Sequence, residues 1–139
     1  MKSSDRMART STAASTTSKP AGRRNPAIHL RATLAPGIAI GPGKADLLEG
    51  IRDTGSIAAA GRRMRMSYKR AWQLVEELNR SFRGPLVESS KGGPGGGGAR
   101  LTRTGDIVLA RYARMREAAT MAVAIDLAAL RRYLPPRSR

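Results

Sequence analysis

Two serines eleven residues apart frame the most constraining stretch of this 139-residue chain. Ser56 heads SIAAAGRRMR and Ser67 heads SYKRAWQLVEELNRSF. Serine is a favoured helix N-cap because its hydroxyl oxygen accepts a hydrogen bond from backbone N–H groups that have no partner inside the helix. Only a tight turn at Arg65 and Met66 separates the two runs, which is the layout of a helix-turn-helix. Such a turn favours glycine in a left-handed conformation. Arg65 has to accept that strain, roughly 1 kcal/mol.

The run after Ser67 carries Ala71, Val75, Leu78 and Phe82 at intervals of four, three and four, with Leu74 beside them. That period marks one buried helix face. The opposite, leading face presents Tyr68, Lys69, Arg70 and Gln73, while Glu76 and Glu77 come only after two turns. A helix entering the DNA major groove needs this order, with hydrogen-bonding and cationic groups ahead and acids held back from the phosphates. The competing reading is an ordinary solvated face. Against it, Arg62, Arg63, Arg65, Lys69 and Arg70 fall within nine residues that contain no acid. Trp72 sits between the two faces, where core packing is a better fit than base stacking.

Charge points the same way. The chain has a formal net charge of +16, so its natural partner is polyanionic. Residues 1–26 hold Lys2, Arg6, Arg9, Lys19, Arg23 and Arg24 against Asp5 and little that is large and apolar, which suits a disordered basic arm. The remaining chain keeps +11 without it. No cysteine is present and His29 is the only histidine, so thiolate metal sites and multi-histidine or Ser-His-Asp constellations cannot be built. The acids are scattered with no repeated spacing, which argues against metal-dependent nucleic-acid chemistry. We therefore expect no enzyme, no cofactor and no metal. No apolar run approaches the length of a membrane helix, and the expected location is the cytoplasm, at the nucleoid.

Upstream, the weak alternation of AIHLRATL, residues 27–34, suits a short strand, interrupted by Pro36 and the GPG run at 41–43. Pro42 is well placed in the first turn of a helix, whose apolar residues Leu47, Leu48 and Ile51 precede a stop at Gly55. The small residues Ala59 and Ala60 then allow close approach of a neighbouring helix.

Downstream lies KGGPGGGGARL, six of whose eleven residues are glycine. A phosphate-binding P-loop needs lysine followed by Ser or Thr after the glycines, but here they end in Ala99 and Arg100. A dinucleotide loop needs a βαβ unit. The segment instead joins LVESS to a short returning ARL, giving a β-hairpin wing with Lys91 and Arg100 at its base. Thr102 begins a long helical run to Leu134, with Val108, Tyr112, Met115, Ala119 and Ala122 on one stripe and Val123, Leu127, Leu130 and Leu134 on the next. A second copy of the chain would cover this much apolar surface. The alternative is that the helix folds back on the first helix and the amino-terminal strand. Pro135 and Pro136 end it, leaving a basic tail at 135–139.

The succession GPGKADLLEGIRDTGSIAAAGRRMRMSYKRAWQLVEELN, followed by GGPGGGGARLTRTG, resembles the amino-terminal DNA-binding domain of ModE-type molybdate-responsive regulators. Their winged helix-turn-helix is akin to that of LysR-type regulators. The resemblance places Ser67, Tyr68, Lys69, Arg70 and Gln73 on the recognition helix and the wing at 91–100. It implies a mainly α fold with a small β-hairpin: a winged helix-turn-helix over 27–134, with a long carboxy-terminal dimerisation helix at 102–134. It also implies a homodimeric regulator of molybdenum metabolism acting on double-stranded DNA. The molybdate-binding domains of such proteins have no counterpart after the last helix, so direct molybdate binding is not expected. The expected DNA contacts are Ser56, Ser67, Tyr68, Lys69, Arg70, Gln73, Lys91 and Arg100. The alternative in another class is an architectural, nucleoid-associated protein of low sequence specificity.

Overall fold

Three short helices packed on one another carry the core, and two β-hairpins and a longer helical segment close it. The computed structural model describes residues 27–90 and 98–137. In chain order the elements are β1 (Ala32–Ala35), β2 (Ile38–Ile40), α1 (Pro42–Thr54), α2 (Ile57–Arg63), α3 (Tyr68–Ser81), β3 (Val87–Ser90), β4 (Gly98–Leu101), α4 (Arg103–Ala122) and α5 (Ala124–Arg131). The basic arm expected at 1–26 and most of the wing tip lie outside the described residues; of the tail, residues 135–137 are exposed and irregular.

α1 starts at Pro42 and ends at Gly55, whose φ of 75° takes the left-handed conformation and lets its N–H reach the Ile51 carbonyl at 2.8 Å. Leu47, Leu48 and Ile51 are completely buried. Each such side chain contributes roughly 1.5–3 kcal/mol through removal from water. Small residues set the helix spacing: a Cβ built on Gly50 would stand 2.9 Å from the Cβ of Ala60, and one on Gly61 would stand 3.1 Å from that of Ala71. The α1–α2 and α2–α3 contacts thus use backbone proximity that larger residues would prevent. α3 buries Ala71, Leu74, Val75 and Leu78, and Phe82 is half-buried beyond its end. The core continues through Leu86, Val87, Ala99, Leu109 and Tyr112.

Two expectations from sequence need correction. The single strand at 27–34 is instead the approach to a hairpin: β1 pairs antiparallel with β2, Ala32 opposite Ile40 and Thr33 opposite Ala39. Pro36 and Gly37 form its tip rather than a break, with Gly37 at φ 78°. Proline fixes the first turn position and glycine accepts the positive φ of the second. The continuous helix at 102–134 is divided at Val123, which has φ −107° and ψ 10° and serves as the boundary of both α4 and α5. Its apolar stripe is divided too. Gly105, Leu109 and Tyr112 are buried and Val108 is half-buried, whereas Met121, Ile125, Leu130 and Leu134 are exposed.

The first half of α4 therefore folds back on its own chain. The Tyr112 hydroxyl donates to the Leu30 carbonyl at 2.7 Å, which fastens the approach to the amino-terminal hairpin onto α4. Burial raises the pKa of this hydroxyl, against the opposing pull of the Arg116 guanidinium, which lies 5.4 Å from the ring centroid. The group stays protonated and keeps its donor. Tyr112→Phe is expected to lose about 0.5–1.5 kcal/mol of stability in urea unfolding, the worth of one hydrogen bond with packing retained. A larger fall in Tm for Phe than for Ala at this position would contradict that assignment.

Candidate nucleic-acid interface

The Ser56 Oγ accepts from the Ala59 N–H at 3.0 Å, and the Ser67 Oγ accepts from the Arg70 N–H at 3.0 Å. Both serines therefore act as caps, and each fixes the first turn of its helix. Ser56 is half-buried and Ser67 exposed. With α3 anchored by its apolar side against α2, its leading face is turned to solvent: Tyr68, Lys69, Arg70 and Gln73 are all exposed. No acid lies in the first turn of α3. The ring of Tyr68 meets that of Trp72 edge-on at 6.2 Å and 78°, a favourable arrangement of ring quadrupoles. Trp72 itself is half-buried against the core. Tyr68 thus rests on a fixed support while 58% of it remains accessible.

Behind this face the acids are partly engaged. Glu77 lies 3.7 Å from the Lys44 Nζ, which also donates to the Ala39 carbonyl at 3.3 Å. Arg63 approaches Asp53 at 3.5 Å. These partly exposed pairs contribute little to stability, but they dispose of negative charge beside a cationic surface.

The wing stands next to α3. β3 and β4 pair in register, Val87 with Leu101 through Ser90 with Gly98. At its root the Ala99 N–H donates to the Gly55 carbonyl at 2.9 Å, tying β4 to the corner between α1 and α2. Asn79, on the last turn of α3, supplies a link that sequence reading did not single out. Its Oδ1 accepts from the N–H groups of Leu86 at 2.8 Å and Val87 at 3.1 Å, and its Nδ2 donates to the Val87 carbonyl at 3.1 Å. One side chain thereby locks the wing to the helix. Arg100 is exposed and its guanidinium lies 3.2 Å from Glu88 across the hairpin, so it is partnered in the free protein. Lys91 falls outside the described residues.

The arrangement brings Tyr68, Lys69, Arg70 and Gln73 onto α3 with Ser67 as its N-cap, and places Ser56 at the N-cap of α2 and Arg100 on β4. Among the described residues no group of three or more His, Asp or Glu could hold a metal ion, and no helix is long and apolar enough to cross a membrane.

Comparison with known proteins gives the same domain. Residues 45–106 match the family model of the bacterial regulatory helix-turn-helix proteins of the lysR family. The chain is 41% identical over 86 residues to the molybdenum-pterin-binding protein MopA of Rhodobacter capsulatus, covering 62% of this chain and 32% of that protein. It is 41% identical over 71 residues to the DNA-binding transcriptional dual regulator ModE of Escherichia coli K12, covering 51% of this chain and 27% of that protein. The chain thus spans about a third or less of the length of the curated relatives it matches. Among solved structures, the crystal structure of the CbnR_DBD–DNA complex superposes with a TM-score of 0.52 at 23% identity, over 63% of this chain and 95% of that one, a likeness of fold. Residues 45–106 accordingly match a helix-turn-helix of the lysR family, and over this part of the chain the sequence is similar to MopA and ModE.

Proposed function

We propose that this domain binds double-stranded DNA as a transcription regulator, with α3 in the major groove and the wing against the adjacent backbone. The observation that carries this reading is the leading face of α3, where Tyr68, Lys69, Arg70 and Gln73 are exposed together on a capped helix with no acid in its first turn. Lysine and arginine there reach phosphates or the guanine edge, and glutamine can pair with adenine. Lys91 and Arg100 at the wing base, together with the hydroxyls of Ser56 and Ser67, would meet phosphates and fix register. Arg100 would exchange Glu88 for a phosphate oxygen. Two copies joined through the exposed apolar residues of α5 would present two such helices to a partly symmetric site. Relatives named ModE and molybdenum-pterin-binding protein support a regulon in molybdenum metabolism. This reading locates the chain on the nucleoid, in the cytoplasm.

The test is selection of bound sequences from random duplex DNA at near-physiological salt, followed by affinity for the selected sequence against scrambled DNA. A symmetric motif with an affinity ratio of about 10³ or more is expected. Enrichment without a motif would instead support the architectural reading, in which the +16 charge coats DNA without reading it. Arg70→Ala should weaken specific binding by about 1–3 kcal/mol and relax preference at one base pair, read by competition titration. An Arg70→Ala protein that bound like the parent would remove α3 from the interface.

A further inference from the structure

The turn between α2 and α3 is a helix ending of the Schellman type. The Met66 N–H donates to the Gly61 carbonyl and the Arg65 N–H to the Arg62 carbonyl, both at 3.0 Å. The residue enclosed by these bonds must take a left-handed conformation, and here it is Arg65 at φ 58°. It is the one described non-glycine residue with positive φ. Glycine occupies such positions without strain, whereas a Cβ crowds the following carbonyl. Met64 and Met66, on either side, are half-buried and packed against the core. They pin the backbone from both directions, so the strain cannot relax by rotation of the turn.

Among the described residues no side-chain bond compensates for it. Arg65 is exposed, and among the described residues no hydrogen bond or ion pair engages its guanidinium. Its neighbour Arg63 shows the contrast, being held 3.5 Å from Asp53. A long cationic side chain in a strained position, without a partner, is the pattern expected where strain is retained for a ligand. The position stands three residues before Tyr68, the first residue of α3, and close in sequence to the cations Lys69 and Arg70. A guanidinium matches the geometry of a phosphate oxygen pair.

We infer that Arg65 is a DNA phosphate contact that holds the turn of the helix-turn-helix against the backbone while α3 enters the groove. This rests on the DNA-binding reading above and adds a residue to it. Arg65 gives affinity and register, not sequence preference. The competing role is purely local: a cation at the carboxy-terminal end of α2 interacts favourably with the helix dipole.

Three variants of the whole chain separate these roles: Arg65→Gly, Arg65→Asn and Arg65→Lys. Glycine and asparagine both accept the left-handed conformation and remove the charge; lysine keeps the charge. Arg65→Gly is expected to raise the Tm by roughly 2–5 °C, strain relief outweighing the added freedom of the unfolded chain. Binding of Arg65→Gly and Arg65→Asn to selected and to scrambled duplex DNA should weaken by similar factors. The slope of log affinity against log salt concentration should become shallower by about 0.9, the share of one phosphate contact. Arg65→Lys should retain the parent slope. A lower Tm for Arg65→Gly would assign Arg65 to the end of α2 and overturn the strain argument. A parent that binds DNA while Arg65→Gly keeps its salt slope overturns this inference alone; a parent that does not bind duplex DNA overturns the DNA-binding reading and this inference with it.

Discussion

Gly105→Ala is expected to lower stability by about 2–3 kcal/mol, although it replaces glycine with the best helix former inside a helix. A Cβ built at Gly105 would overlap the carbonyl oxygen of Leu86 and stand 3.1 Å from its carbonyl carbon and 3.3 Å from the Leu101 Cβ. The first two are backbone atoms and cannot swing aside. Leu86 is wholly buried, and its carbonyl accepts the Thr102 N–H at 2.9 Å, while the Thr102 hydroxyl donates to Pro85 at 2.7 Å. Making room therefore means lifting the start of α4 from the segment that leads into β3 and weakening both bonds. Alanine's propensity advantage of about 0.8–1 kcal/mol offsets only part of this. For a domain of this size, the Tm should fall by roughly 10 °C or more. A Tm that stayed level or rose would show that α4 can shift freely against the wing.

The second large effect is at Asn79. Replacement by alanine removes all three bonds that its amide makes with Leu86 and Val87. Those two residues are 0% and 4% exposed, so their N–H groups have little access to replacement water. An unsatisfied buried donor costs about 1–3 kcal/mol, and we expect a total loss of about 2–4 kcal/mol for Asn79→Ala. Asn79→Asp should fall between alanine and the parent, because a carboxylate can accept from both N–H groups but cannot donate to the Val87 carbonyl. Urea unfolding measures the loss, and amide hydrogen exchange locates it: protection at Leu86 and Val87 should drop before that of the α1 core. A loss within about 0.5 kcal/mol, as at an ordinary surface site, would mean that the wing is held mainly by other contacts.

Local chemistry explains how much of this was legible beforehand. Ser56, Ser67 and Thr102 cap helices because a side-chain oxygen and an N–H three residues later belong to one short segment. Pro42, Gly55 and the buried period of α3 are equally local, and Arg65 took the left-handed turn that its place between two helices demanded. The expected wing strands also formed. What sequence hid depends on distant partners. Asn79 reads as a polar residue at a helix end until the backbone of residues 86 and 87 arrives beside it. Gly105 reads as a weak helix former until Leu86 needs its empty side. The break at Val123 has no breaker residue to announce it, since alanine-rich sequence continues on both sides. Pro36 and Gly37 were visible, but a turn and an interruption share those residues, and only the pairing of Ala32 with Ile40 distinguishes them. On the candidate interface, the face of α3 followed from helical spacing, whereas the engagement of Arg100 by Glu88 required the hairpin register.

The bond from Tyr112 to Leu30 has a kinetic consequence. It joins positions 82 residues apart, while α1 with α2, α2 with α3 and the two hairpins join neighbours. Closing a long loop carries an entropic penalty that local pairs do not meet. The helix-turn-helix should therefore assemble early and quickly, and the clasp between α4 and the amino-terminal segment should form after the main barrier. Tyr112→Phe would then accelerate unfolding and leave the folding rate nearly unchanged in stopped-flow measurements. On that order the region around Leu30 should open before α1 to α3 in the native protein, which limited proteolysis would detect as cleavage there first.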